Sequence, residues 1–159
     1  MDEQSRLEQA KAAFITLCKT MEHHEWNCHK NEEQLYIECA AQGEDLPMDI
    51  TVFVDPNKLV AVLLSRLPFA IPENICLDAA VAVSVINEHL VDGCFDFDLS
   101  TGNMFFRVTN SFMESTVSED VFSYMLMCSC ATIDEYNDKI LMLAKGLISI
   151  EQFIAMILK

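Results

Sequence analysis

The chain opens with apolar residues that recur every three or four positions, the spacing of one face of an α-helix. Leu7 and Met21 lie at the two ends of this stripe. Ser5 and Glu8 match a capping box, in which two side chains satisfy free backbone amides at the start of a helix. The pattern predicts a helix that begins near Ser5 and ends near His24.

Between residues 35 and 64 the apolar positions alternate instead, which is typical of β-strands. Alternation around Ile37, and again over residues 48–54, predicts two half-buried strands. A turn at residues 55–58 leads into a third strand, residues 59–64, which is almost wholly apolar. We expect both faces of this third strand to be covered. The short turns favour antiparallel pairing.

A second helix is predicted after Pro68 and Pro72, because proline suits the first position of a helix. Its main apolar stripe covers residues 75–90, and Val81 and Val85 add apolar character on another side. The middle of this helix carries few charges. We therefore expect burial on more than one of its faces.

Residues 94–99 and 104–109 predict a β-hairpin around a loop at residues 100–103. Pairing the strands symmetrically about this loop puts the apolar residues on one face and a charge pair on the other. The expected cross-strand pairs are Leu99–Met104, Phe97–Phe106, Phe95–Val108 and Asp96–Arg107.

The last third of the chain is predicted to be helical. Ser118 caps a long helix that stops at Gly146, and a second capping box at residues 149–152 opens a short helix to Leu158. The resulting order of elements is α-β-β-β-α-β-β-α-α. It predicts an α+β fold, as a single domain over residues 1–159, with an antiparallel sheet of about five strands packed by helices.

Charge narrows the classes of partner. The 25 acidic residues outnumber the 10 basic ones, which gives a net charge of −15. Such a surface repels nucleic-acid backbones and anionic lipid headgroups, so we expect neither nucleic acid nor membrane as a partner. Protein partners that are basic or apolar fit it better. The N-terminus lacks the regions of a secretory signal, and the seven cysteines form no regular framework, which together predict a cytoplasmic protein.

Three of the four histidines lie with a cysteine in the segment HHEWNCH, residues 23–29. On a continued helix, His24 and Cys28 would be four residues apart, a spacing that can hold zinc. Adjacent His23 and His24 would point about 100° apart, however, and no second pair of ligands has a recognisable spacing. A polar corner where the helix ends is the favoured interpretation. The candidate metal ligands are His23, His24, Cys28 and His29, and we expect them to bind no metal.

Other candidate sites are weaker. An EF-hand loop counted from Asp96 would need glycine at its sixth position and glutamate at its twelfth, where the sequence has Thr101 and Arg107. Cys128 and Cys130 are too close in sequence to face one way on a helix. The sequence has no glycine-rich phosphate loop. No catalytic residue and no cofactor are predicted, so we expect a protein that is not an enzyme.

Two stretches resemble the YbjN-domain family: VINEHLVDGCFDFDLSTGNMFFR at residues 85–107 and IDEYNDKILMLAKG at residues 133–146. The similarity extends over about residues 35–158. It implies a bacterial protein, one of a family of proposed sensory transduction regulators, with a fold like type III secretion chaperones and no catalytic residues. Gly93 is expected to end a helix, Gly102 to make a turn and Arg107 to pair across the hairpin. The family's recurrent positions are Asn87, Gly93, Phe95, Gly102 and Arg107.

The function predicted from these features is that of a non-enzymatic regulator or chaperone-like adaptor that binds another protein. A homodimer is also predicted, because the helix at residues 72–91 is apolar on more than one side and exposed apolar patches mark association sites. The alternative is a metal- or thiol-dependent sensor that uses His23, His24, Cys28 and His29.

Overall fold

The computed structural model describes residues 2–159 of the chain. The helices are α1 (Glu3–His23), α2 (Cys76–His89), α3 (Glu119–Ala144) and α4 (Ile150–Ile157), and a 3₁₀ turn, Glu73–Ile75, precedes α2. The strands are β1 (Cys28–Asn31), β2 (Tyr36–Gln42), β3 (Pro47–Asp55), β4 (Val60–Arg66), β5 (Cys94–Phe97) and β6 (Met104–Ser111). The predicted α+β class and the predicted helices are confirmed.

The strands form one antiparallel sheet in the order β1-β2-β3-β4-β6-β5. The prediction of about five strands was short by one, since β1 lies in the segment interpreted as a polar corner. The sequence of β1 shows no alternation of apolar and polar residues, and both of its middle residues, His29 and Lys30, are exposed at the edge of the sheet. Its pairing with β2, and not an internal pattern, makes it a strand.

The same loop closes three of the hairpins. In each, an Asn or Asp side chain accepts a hydrogen bond from a backbone amide two or three residues later, and the fourth loop residue has a positive φ. The carbonyl of that fourth residue then accepts a hydrogen bond from a backbone amide outside the hairpin. These bonds are Val54 N to Leu35 O at 2.9 Å, Phe112 N to Leu59 O at 2.9 Å, and Ile71 N to Gly102 O at 2.8 Å.

The predicted register of the β5–β6 hairpin was wrong by two residues. Phe95 lies opposite Phe106, and Arg107 lies opposite Cys94 instead of Asp96. The loop starts at Asp98, whose carboxylate accepts hydrogen bonds from the Ser100 amide at 2.9 Å and the Ser100 hydroxyl at 2.6 Å. Since a shift of two residues keeps side chains on their faces, Phe95, Phe97, Asp96 and Arg107 lie on the faces predicted. Leu99 is the exception: it lies in the loop, 61% exposed, and Met104 pairs with Phe97 instead.

Asp96 and Arg107 nevertheless form an ion pair, now along a diagonal of one sheet face, two rungs apart. The guanidinium donates to the two carboxylate oxygens at 2.6 and 3.2 Å. Both side chains are more than a third exposed, at 45% for Asp96 and 41% for Arg107.

A double-mutant cycle on Asp96→Ala and Arg107→Ala should therefore give a small favourable coupling of about 0.2–1 kcal/mol, because water and salt screen a pair this exposed. The free energies of unfolding from chemical denaturation supply the four corners of the cycle. The coupling should shrink at high salt. A coupling of zero at low salt would show that the pair contributes nothing to stability.

Two helix starts differ from the predicted ones. α1 is capped by Asp2, whose carboxylate accepts from the Ser5 amide at 2.8 Å, so Ser5 lies inside the helix. Pro72 precedes the 3₁₀ turn and does not occupy the first position of α2. The caps predicted at Ser118 for α3 and at Ser149 for α4 are confirmed. Short polar side chains at these positions satisfy amides that the helix itself leaves free.

The core lies between one face of the sheet and the helices. α1, α2 and α3 contact the sheet, and α4 lies against α2 and α3. Phe95 and Phe106 meet with their ring centroids 5.1 Å apart, and Phe95 also contacts Tyr136 of α3 edge-on at 6.2 Å. The largest fully buried side chains include Phe95, Phe106, Phe112, Phe122 and Phe153.

Candidate interaction surface

The second face of the sheet carries half-buried apolar side chains with no helix over them among residues 2–159. β4 contributes Leu64 to this face, β3 contributes Phe53 and β6 contributes Phe105. The prediction that both faces of the third predicted strand are covered was therefore wrong. Its apolar residues serve the core on one side and an uncovered sheet surface on the other.

This uncovered face holds an open groove of about 580 Å³. Phe53, Leu64 and Phe105 form its apolar part, while Glu38 and Asp49 bring negative charge and Arg66 brings positive charge. Arg66 is not paired with either acid: its guanidinium donates to the Asn103 side chain at 3.2 Å. The groove crosses strands β2, β3, β4 and β6, so an elongated ligand could contact four strands at once.

α2 shows a second apolar surface. Its buried side faces the core through Ala79, Val83 and Ile86. The expected burial of α2 on more than one face is seen in its contacts with β5 and with α4, while the side that carries Leu77, 79% exposed, and Val81, 45% exposed, stays open among residues 2–159. Two apolar residues one helical turn apart on a solvent-facing side are typical of an association surface.

The segment HHEWNCH is divided between two elements. His23 ends α1 and its Nδ1 lies 2.5 Å from a carboxylate oxygen of Glu119, while His24 Nε2 lies 2.9 Å from the Ser123 hydroxyl. Both histidines thus face the start of α3. Cys28 and His29 belong to β1. Among residues 2–159 no group of three or more His, Cys, Asp or Glu side chains is arranged to hold a metal ion.

The neighbour of Cys28 is a residue that the sequence did not single out. Cys39 of β2 lies directly opposite Cys28 in the sheet. Both thiols are half-buried against the core. Burial raises the pKa of Cys39 far above that of a free thiol, and it raises the pKa of Cys28 as well. Only the pairing of β1 with β2 reveals this contact, because the two residues are separated by a loop.

Asn87 joins α2 to the edge strand β5. Its side-chain amide donates to Phe95 O at 3.0 Å, and its carbonyl accepts from Phe95 N at 2.8 Å. The side chain therefore acts as a short piece of strand along β5, satisfying backbone groups that a further strand would otherwise bond. Phe95 itself is buried and stacks in the core.

Gly93 does not end a helix as expected. α2 stops at His89, and Gly93 lies in the turn before β5 with a φ of +76°. A Cβ at Gly93 would lie 2.4 Å from the Phe106 ring. Arg107, besides its ion pair, donates to Cys94 Sγ at 3.2 Å. These contacts serve the hairpin and the core.

Tyr124 and Asp92 form a contact that the sequence pattern did not indicate. The Tyr124 hydroxyl donates to the Asp92 carboxylate, which joins the start of α3 to the turn after α2. This hydrogen bond raises the pKa of Tyr124 to about 12, because losing the proton would place two negative charges together. The phenol therefore stays neutral at physiological pH.

None of the helices in residues 2–159 is both long enough and apolar enough to cross a membrane. No protein-family model matches the sequence, and no characterised protein matches it closely enough to count as a relative. What relates this chain to known proteins is its three-dimensional fold.

Two solved structures are similar to it. The crystal structure of YbjN from E. coli, a proposed transcription regulator, matches with a TM-score of 0.57 and 13% identity, over 79% of this chain and 91% of that one. A chain of the ExsC–ExsE complex matches with a TM-score of 0.56 and 12% identity, over 77% of this chain and 89% of that one. The chain thus has the YbjN-like fold that type III secretion chaperones share.

Proposed function

We propose that this protein is a non-enzymatic, cytoplasmic regulator or chaperone-like adaptor, a single domain over residues 1–159 that binds another protein as a homodimer. The observation that carries the proposal is the groove on the uncovered face of the sheet. Half-buried Phe53, Leu64 and Phe105 follow a diagonal there across three neighbouring strands. An apolar surface of this kind is stabilised when a partner removes it from water. The two structural neighbours, a proposed regulator and a complex of two proteins, are consistent with this role.

The partner we infer is an extended or partly unfolded polypeptide with apolar and basic side chains. The residues that line the groove belong to four strands, which an extended chain can contact together. Glu38 and Asp49 line the groove, and the whole chain carries a net charge of −15. Basic side chains on the partner would complement both, which accelerates association and disfavours acidic competitors.

The decisive experiment compares partners captured by wild-type protein with those captured by the Phe53→Ser/Phe105→Ser double variant in cells of the source organism. Both phenylalanines face the groove, so the variant should lose the specific partner while remaining folded. The partner, once identified by mass spectrometry, is then purified and titrated against both proteins. We expect its affinity for the variant to fall by at least about tenfold, since hot-spot aromatic residues contribute about 2 kcal/mol or more each.

A matched control is the Met113→Ser/Leu147→Ser variant, which removes two apolar side chains that are exposed outside the groove, at 64% and 67%. It should bind the partner as the wild type does. Equal binding by all three proteins would refute the groove as the binding surface. Turnover of a small molecule by the purified protein would refute the non-enzymatic part of the proposal.

The homodimer has its own test, directed at α2. We expect light scattering at micromolar concentration to give about twice the chain mass of 18.0 kDa, because pairing buries Leu77 and Val81 on a two-fold axis. A Leu77→Glu/Val81→Glu variant should scatter near 18.0 kDa. Leu147→Glu adds charge at another exposed leucine and should leave the dimer intact. Wild-type protein at the mass of one chain would contradict the prediction.

A further inference from the structure

We propose that Cys28 and Cys39 are an oxidisable pair that closes into a cross-strand disulfide and fastens the edge strand β1 to β2. The two residues are direct partners in the antiparallel ladder. Both are free thiols in the structure, and both are half-buried. No other pair of cysteines is matched in the register of the sheet over residues 2–159.

Backbone hydrogen bonds show whether Cys28 and Cys39 form a hydrogen-bonded or a non-hydrogen-bonded pair of the antiparallel ladder. In an antiparallel sheet, successive residues direct their N–H and C=O groups alternately to the two neighbouring strands. Val54 N donates to Leu35 O, so the odd-numbered residues that follow Leu35 along β2, including Cys39, bond to β3. Cys39 therefore faces Cys28 in a non-hydrogen-bonded pair.

That geometry suits a disulfide. Opposing Cα atoms in a non-hydrogen-bonded pair lie about 4.5 Å apart, closer than in a hydrogen-bonded pair. Disulfides bridge Cα separations of about 4.4–6.8 Å. The two side chains also leave the sheet on the same face, as partners in a ladder do. Closing the bond requires side-chain rotation and no change in strand pairing.

Neighbouring groups leave the two thiols free to react with each other. The Cys28 thiol makes only a weak contact with the carbonyl of Trp26, with the sulfur 3.6 Å from the oxygen. Cys94, by contrast, lies on the opposite face of the sheet, where Arg107 contacts its sulfur. Cys128 and Cys130 are both on α3 and two residues apart, so they point in different directions.

The oxidant we infer is a low-molecular-weight disulfide, RSSR. The Cys28 thiolate attacks one sulfur of RSSR and releases RS⁻, which takes up the proton that Cys28 lost. The Cys39 thiolate then attacks Cys28 Sγ in the mixed disulfide and releases the second RS⁻, which is protonated in turn. The protein loses two electrons and two protons, and RSSR is reduced to two RSH.

Cys28 is the better first nucleophile. Burial raises the pKa of both thiols, but the neighbouring Cys39 thiol and Lys30 partly offset this rise at Cys28. The pKa of Cys39 is raised much further, by burial first and by Cys28 second. Because only thiolates react, the bridge should form about ten times faster for each unit of rising pH below these pKa values.

The bridge would change the edge of the sheet. In the reduced protein, β1 is held by its four-residue ladder with β2 and by an ion pair of 2.6 Å between Lys30 and Glu22 of α1. If β1 detaches, the outer edge of β2 becomes free to pair with another strand. The disulfide keeps that edge covered, so the redox state of one pair controls its accessibility.

The test exposes the purified full-length protein to oxidised glutathione and follows its intact mass in denaturant. We expect the product to lack two hydrogen atoms, to regain them with dithiothreitol, and to yield one proteolytic peptide pair that links Cys28 to Cys39. Hydrogen exchange at the β1 amides should slow in the oxidised protein. Cys28→Ser and Cys39→Ser should each abolish the bridge, whereas Cys128→Ser should form it as the wild type does.

Other products would overturn the proposal. A wild-type protein that carries glutathione adducts but no internal bridge would show that the two sulfurs cannot meet. A bridge from Cys28 to Cys18, or one between two chains, would assign the reactivity to a different pair. Unchanged exchange at β1 after bridging would refute the control of the sheet edge.

Discussion

Replacing Gly102 by alanine should destabilise the protein by about 2–5 kcal/mol. Gly102 has a φ of +73°, in the left-handed region, which costs a residue with a Cβ about 1–2 kcal/mol. That Cβ would also lie 2.3 Å from the backbone oxygen of Ile71. Backbone cannot rotate away, so the segment that leads into α2 would have to shift, at a further cost of about 1–3 kcal/mol.

Gly146→Ala is the matched control for this substitution. Gly146 also has a positive φ, of +66°, but a Cβ there would meet nothing within 4 Å. It should lose only the conformational part, about 1–2 kcal/mol. The free energies of unfolding of the two variants, measured by chemical denaturation, differ by the cost of the contact between the added Cβ and Ile71. Equal losses would show that the Ile71 segment yields without cost, and that the hairpin loop is not locked to the start of α2.

Phe106→Ala should cost about 3–5 kcal/mol, the range for deleting a buried phenylalanine. The side chain is fully buried, and its ring packs against that of Phe95 at a centroid distance of 5.1 Å. Its removal opens a cavity between the hairpin and the helices, which the surrounding structure refills only in part. The urea midpoint should fall while the dependence of stability on urea stays the same, as expected if the fold is retained.

Phe105→Ala provides the comparison, since Phe105 is the preceding residue of the same strand and points to the other face. It is half-buried in the open groove, so its removal leaves no closed cavity. We expect a loss of about 1–2 kcal/mol, the transfer free energy of the side chain without a cavity cost. Equal losses at the two positions would mean that the groove is part of the core, which would contradict the proposed binding surface.

Local patterns in the sequence predicted most of the helices and strands. Helix starts at Ser118 and Ser149 depend on side chains that bond amides within three residues, and such signals are readable in one dimension. The hairpin at residues 94–109 carried its face assignment in the alternation of Phe95, Asp96 and Phe97. The resemblance of residues 85–107 and 133–146 to the YbjN-domain family predicted the fold that the structural neighbours show.

The register of the hairpin and the edge strand of the sheet depended on contacts between segments that are distant in the sequence. The observed hairpin register differs from the predicted one by two residues because Gly102 is the last residue of the loop. It adopts a positive φ there, and its carbonyl accepts a hydrogen bond from the Ile71 amide. Leu35 and Leu59 adopt the same left-handed backbone conformation although they are not glycine. The residue type therefore does not predict this conformation. Contacts with a distant segment stabilise these conformations.

What the sequence by itself determined is therefore the class of fold, the helix caps at Ser118 and Ser149, and the faces of Phe95, Asp96 and Phe97 in the hairpin. Only the tertiary structure decided that β1 is a strand, that Cys28 faces Cys39, and that Leu64 lies in an open groove instead of a second core. The physical reason is that alternation reports whether a side chain has an apolar environment, while strand pairing and the cover over a sheet face are set by segments far away in the chain.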